Sequence, residues 1–247
     1  MPADDGHPDI PRFADLRGLA RSLGTEAPYN RIEAVIRSAN VKQSCLGDVV
    51  QAGDSLTALD ELLASPRRRG SSGRRATEAA LLTHAVLLYA RATGNSGQYG
   101  ERGPVTIAAK LTAEQRSDHD ALLRVRNRAS AHVYPHEVTV DDVVWAEDVA
   151  LLVEIGPAWQ PVVSSRSTQL HLPTVERLRR LLPVAQEILA AAFQTALNKL
   201  TAVLRDHPAP LEAFEANLID PVAVFGSEEA VRQALAGRQA GRATIYR

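Results

Sequence analysis

The residues best suited to chemistry in this 247-residue chain lie together in the stretch Asp118-His-Asp-Ala-Leu-Leu-Arg-Val-Arg-Asn-Arg-Ala-Ser-Ala-His132. The imidazole of His132, with an unperturbed pKa of about 6.5, can take or give a proton near neutrality. Arg126 stays cationic and offers a planar fork of donors suited to an anionic oxygen pair. Asn127 beside it can donate or accept a side-chain hydrogen bond. With Leu122 at 0° on a helical wheel of about 100° per residue, Arg126 falls at about +40°, His119 at about +60° and His132 at about −80°. Leu122, Val125 and Ala129 form the apolar stripe, so these polar groups flank a buried face. Asp120 and Arg124, on the opposite face, have the i,i+4 spacing of an ordinary ion pair.

The elements expected to hold these residues are mostly helical. Thr112-Ala-Glu-Gln115 reads as a capping box, with Thr112 as N-cap and Gln115 reaching back, and it opens a helix running to about Ala131 before Tyr134-Pro135 stops it. Ahead of it, Ala76 to Thr93 is apolar on nearly all sides, as a buried central helix would be, and Gly94-Asn-Ser-Gly97 ends it. Asn40 to Ala64 carries a 3.6-residue stripe interrupted by Gly47 and Gly53, which fits one bent helix or two short ones. Thr174 to Arg205 is the longest helical signal, with Pro183 as a kink or a second start. Between them, β-branched residues cluster from Val138 to Leu172 around Gly156-Pro157 and Gln160-Pro161, which reads as a small hairpin, with a helix over Asp141 to Val153 as the alternative. The tail beyond Pro210 suggests short helices near Leu211 to Leu218 and Ser227 to Leu235. The expected chain is mostly α with a small irregular or β element at 138–172. It divides into an extension at 1–39, a helical domain at 40–206 and a helical tail at 207–247.

Composition narrows the field without naming a function. The single cysteine, Cys45, excludes an intrachain disulfide and a Cys-based zinc site. The longest charge-free stretch, Ala79 to Ala90, is shorter than the roughly 18 residues of a spanning helix, and the opening has no secretory pattern, so a cytoplasmic location without membrane contact is expected. Residues 1–64 hold 6 basic and 10 acidic groups, residues 65–135 hold 12 and 5, and residues 136–247 hold 10 and 14. The excess of positive charge is therefore confined to the middle, where Arg67, Arg68, Arg69, Arg74 and Arg75 crowd one Gly- and Ser-containing loop. Gly-rich phosphate loops and Gly-x-Ser-x-Gly elbows are absent, and Ser164, Ser165 and Cys45 have no evident activating partner. His132 and His136 have a metal-like spacing, but Pro135 between them breaks the helix needed to aim both at one ion, so no metal and no cofactor is expected.

From roughly Ala76 to Glu137 the chain resembles the HEPN domains, helical bundles in which an Arg followed by a polar residue precedes a His near a helix end. Arg126-Asn127 with His132 five positions beyond fits that pattern, and Asp118-His119-Asp120 is similar to the acidic or His-containing turn that precedes it. The resemblance implies metal-independent RNA cleavage, in which the ribose 2′-hydroxyl attacks the adjacent phosphodiester and leaves a 2′,3′-cyclic phosphate. Arg126, Asn127 and His132 would be catalytic: His132 as general base or acid, Arg126 on the scissile phosphate, Asn127 orienting phosphate or imidazole. His119 and the arginines 67, 68, 69, 74 and 75 would contact substrate. The resemblance further implies RNA as partner, a homodimer, and a role in toxin–antitoxin systems or phage defence with an antitoxin protein as partner. DNA, lacking the attacking hydroxyl, should bind without being cut.

Plainer readings stand beside these. His132 can simply serve the C-terminal end of its helix, Arg126 can pair with an acidic neighbour, and His119 can be a satisfied semi-buried histidine. The arginine loop can be a solvated one. The alternative function is a non-catalytic HEPN-like dimerisation or RNA- or nucleotide-binding module.

Overall fold

The computed structural model describes residues 11–24, 29–66, 71–94, 102–130, 138–140, 142–155, 158–168, 170–206 and 209–236. In chain order the elements are β1 (Phe13–Ala14), α1 (Leu16–Leu23), α2 (Asn30–Ala64), α3 (Ser72–Thr93), α4 (Ala113–Val125), β2 (Val138–Val140), β3 (Val143–Ile155), β4 (Ala158–Ser167), α5 (Leu172–Asp206), α6 (Leu211–Glu215), β5 (Leu218–Ile219), α7 (Pro221–Phe225) and α8 (Glu228–Leu235). The chain is mostly α with a small β element.

Two compact units share the long helices. Residues 41–195 form one, and residues 1–40 with 196–247 form the other, so α2 and α5 each contribute to both. The expected N-terminal extension and C-terminal tail are therefore one unit with its own core of Leu19, Leu23, Ile32, Val35, Ile36, Leu200 and Val203. Short pairing closes it: β1 lies antiparallel to β5, with Phe13 opposite Ile219. Asp15 caps α1, accepting from the Arg17 and Gly18 backbone N–H groups.

In the larger unit the central helix is α3, whose Leu82, Ala85, Val86, Leu88, Tyr89 and Ala92 are buried. They meet Cys45, Val49, Ala52, Leu56 and Leu59 of α2, Leu122 and Val125 of α4, and Val175, Leu178, Leu181, Leu182, Ala185 and Leu189 of α5 in one core. Neither Gly47 nor Gly53 interrupts α2. Each glycine costs a helix about 1 kcal/mol relative to alanine, which the burial of five α2 side chains outweighs. Pro183 likewise sits inside a continuous α5.

The end of α3 shows why a glycine stands there. A Cβ on Gly94 would come within 2.2 Å of the Leu123 Cδ2, so the bare backbone lets α4 close on the end of α3. Gly94→Ala is expected to destabilise by about 1–3 kcal/mol through overpacking. Urea unfolding of the variant checks this, and an unchanged midpoint would show that Leu123 moves aside freely.

The segment after Val138 is a hairpin, and the helical alternative over Asp141 to Val153 does not form. β3 and β4 pair antiparallel from Ala146 opposite Ser167 to Ile155 opposite Ala158. β2 joins β3 through a two-residue connection in which Asp142 takes φ +63°, a conformation Asp tolerates better than most side chains. Trp145 packs on the core at the root, whereas Leu151, Leu152, Val153, Ile155, Trp159, Val162 and Val163 further out are exposed.

Candidate functional site

The capping box expected at Thr112 is formed. Thr112 Oγ1 accepts from Gln115 N at 3.2 Å, and Gln115 Oε1 accepts from Thr112 N at 3.0 Å. From there α4 runs with Leu122 and Val125 buried, as the wheel requires. At Arg126 the helix changes: residues Arg126–Ser130 form a π-helical turn packed against α3 and β2. A π turn accommodates an extra residue, so angles extrapolated from a regular α-helix to Ala131 no longer hold past Val125. His132 lies outside the described residues, as do Arg67, Arg68, Arg69 and His136.

Arg126 opens onto a pocket of about 810 Å³, lined by Ser44 and Gln51 of α2, His84, Leu87, Leu88 and Arg91 of α3, Arg102 of the following loop, and Arg126 itself. Local geometry explains the lining. His84, Leu87, Leu88 and Arg91 stand at i, i+3, i+4 and i+7 and so form one stripe of α3, while Ser44 and Gln51 lie seven apart on one side of α2. The Arg102 loop is held to the end of α3 by Val105 N–H donating to Ala92 O at 3.0 Å. Arg126 Nη1 donates to Asn127 Oδ1 at 2.9 Å, so Asn127 orients the guanidinium next to it.

A buried carboxylate organises two of the three arginines. Asp48 accepts from Arg91 Nε at 2.8 Å and Nη2 at 2.6 Å, and Arg102 Nη2 donates to the same carboxylate while its Nη1 donates to Ser44 Oγ. The side chain of Asp48 is 8% exposed, against 61% for Arg91 and 20% for Arg102, so the anion is inside and the cations reach outward. Burial pushes the Asp48 carboxyl up, but the hydrogen bonds and charges of Arg91 and Arg102 outweigh it and hold it below its ordinary value. Among the described residues, three guanidinium groups stand against this one carboxylate, so the lining is cationic.

His84 is fixed from the other side. Ser55 Oγ lies 3.0 Å from Gln51 O and 2.8 Å from His84 Nδ1. Since the single hydroxyl proton goes to the carbonyl, the serine oxygen is left to accept from Nδ1–H. His84 itself is exposed in the pocket wall.

The remaining expected residues separate from this site. His119 is 3% exposed and its Nδ1 lies 2.8 Å from the Tyr89 hydroxyl, so it is bonded within the core rather than presented to a substrate. Arg74 departs from the expected phosphate contact. Its guanidinium is buried, with Nε donating to Glu78 at 2.8 Å, Nη1 to Ser65 O at 2.9 Å and Nη2 to Leu62 O, where it satisfies the carbonyls ending α2. Arg75 is exposed and is not among the pocket residues. Asp118 ties α4 to α5 through Arg180 at 2.8 Å and Arg177 at 3.6 Å. Cys45 is buried; loss of hydration pushes its thiol up, which leaves it a poor nucleophile.

The Tyr89–His119 pair yields two expectations. Tyr89→Phe should cost about 1–3 kcal/mol by leaving a buried ring nitrogen without its partner. Burial also holds the His119 imidazole below its ordinary value, with Asp120 pulling weakly the other way. The folded state therefore binds this proton less readily than the unfolded chain. The contribution is present above about pH 6.5 and is lost as pH falls through that value towards the folded pKa. Urea unfolding at pH 8 and pH 5.5 should show a loss of stability that His119→Gln reduces; an identical loss in the variant would assign the pH dependence elsewhere.

Sequence reasoning missed His84, Arg91, Arg102 and Asp48. The α3 stripe was legible in spacing, but it was hidden in a segment whose composition reads as apolar throughout. Compared with protein-family models, curated proteins and solved structures, the chain matches none.

Proposed function

We propose that the chain is a HEPN-like, metal-independent endoribonuclease. The observation that carries this reading is the position of Arg126: the arginine of the Arg-Asn-x4-His motif opens onto a cationic pocket shared with Arg91, Arg102 and His84. In the proposed reaction the 2′-hydroxyl attacks the neighbouring phosphorus, the bond to the 5′-oxygen breaks, and the product carries a 2′,3′-cyclic phosphate. Arg126 would stabilise charge on the phosphoryl oxygens, Asn127 would hold that guanidinium in place, and His132 would move the proton. A homodimer and a role in toxin–antitoxin systems or phage defence, with an antitoxin protein as partner, belong to the same proposal.

The salt-bridged arginines also favour a second reading, in which RNA or a nucleotide is held and not cut, because Asp48 presets two cations for binding without supplying chemistry. Incubating the full chain with labelled single-stranded RNA and matching DNA in excess EDTA separates the two. Cyclic-phosphate ends on RNA, with DNA intact, support the nuclease. Retention of intact RNA by folded protein supports the binding module.

A further inference from the structure

We infer that the Arg91–Arg102–His84 face of the pocket is a binding site for a phosphoryl group. The inference rests on the nuclease reading for the choice of an RNA phosphodiester as natural ligand; the cationic geometry stands apart from any cleavage.

The arrangement is that of a preorganised anion site. Asp48 uses Nε and one Nη of Arg91, which leaves the other Nη on a side chain that is 61% exposed. Arg102 is anchored by Asp48 and Ser44 at its two Nη atoms. Both forks are thus held before a ligand arrives, so binding does not have to freeze two long side chains. The carboxylate that holds them is buried beneath and cancels one charge, and Arg126 is a third cation in the lining of the same pocket. Ser55 holds His84 through its Nδ1, so the ring stands in the lining of the same pocket as a fixed polar group. Ser44 and Gln51 complete the wall with groups that can serve a ribose hydroxyl or a phosphate oxygen. A planar carboxylate would use only one fork; a tetrahedral phosphoryl group can engage donors arriving from α3, the Arg102 loop and the π turn.

The test uses a fluorescent 2′-O-methyl RNA oligonucleotide, which has no attacking hydroxyl, with binding to the full chain followed by anisotropy. Arg91→Ala should weaken it about tenfold or more, the usual range for losing a charge-assisted hydrogen bond. Arg116→Ala, an exposed arginine outside the pocket, should change it less than about twofold. Because Arg91→Ala could disturb folding through Asp48, a second readout uses the wild type: titration with the same 2′-O-methyl RNA oligonucleotide should shift the His84 imidazole resonances in a saturable way. Competition by inorganic phosphate and a nucleoside monophosphate as well as by RNA would assign a phosphate monoester; competition by RNA alone would assign the phosphodiester chain. Binding that is insensitive to Arg91→Ala in folded protein, or His84 resonances unmoved at saturation, overturns the inference. Intact binding without RNA cleavage overturns only the nuclease reading.

Discussion

Arg126→Ala is expected to lower RNA cleavage by about 100- to 1,000-fold, the range seen when one preorganised donor to a developing oxyanion is removed. Arg126 is placed for that loss to fall on chemistry more than on folding. The apolar anchors of its helix are Leu122 and Val125, both buried one turn earlier, and the substitution leaves them and the capping box untouched. Its guanidinium lies in the pocket wall and takes its orientation from Asn127 Oδ1. Arg126→Lys keeps the charge but loses the planar fork, so it should recover only part of the rate. Asn127→Ala, which removes the acceptor of Arg126 Nη1, should fall between wild type and Arg126→Ala. The measurement is the single-turnover rate on a labelled RNA in EDTA, with thermal unfolding of each variant alongside. Cleavage by Arg126→Ala at the wild-type rate would remove Arg126 from the mechanism and the motif from the argument.

What the sequence discloses about this site is uneven, and the reasons are physical. The cap at Thr112 and Gln115, the stop at Gly94 and the burial of Leu122 and Val125 follow from interactions within a few residues, and all are present. The hairpin could be read only as one of two options, because β-branched residues over a short segment do not by themselves choose a partner strand; pairing of β3 with β4 decides it. The π turn at Arg126 was invisible, since a wheel assumes constant pitch. Least legible was the ion-pair network. Arg91 and Arg102 reach Asp48 across 43 and 54 residues of chain, and nothing in local spacing joins them. Arg74 is legible only in part: in a run of arginines it looks like part of a phosphate surface, and the structure shows it donating to the end of α2 and to Glu78.

Asp48→Ala is expected to destabilise the larger unit by about 2–3 kcal/mol. Removing one partner of a fully buried pair costs about 3–5 kcal/mol because the other charge is left stranded. Here Arg91 is 61% exposed and can turn to water, whereas Arg102 at 20% exposure cannot do so as easily, which sets the expectation below that range. Arg102→Ala alone should cost less, since Asp48 keeps the two bonds from Arg91. The double variant Asp48→Ala/Arg102→Ala should be more stable than the sum of the two losses implies, because the second substitution removes the cation that the first left behind. The pH dependence gives an independent check. The folded carboxyl titrates below the unfolded value of about 3.8, so its contribution is full above that value and disappears as pH falls through the folded pKa. Wild type should therefore lose stability as pH falls below about 4 more steeply than Asp48→Asn, in which no proton can be taken up at this position. Urea unfolding of the five proteins at pH 7 and in the acid range measures both effects. A loss under about 0.5 kcal/mol for Asp48→Ala, with additivity in the double variant, would reduce the network to an exposed ion pair. Asp48 could then no longer be what holds Arg91 and Arg102 in place at the pocket.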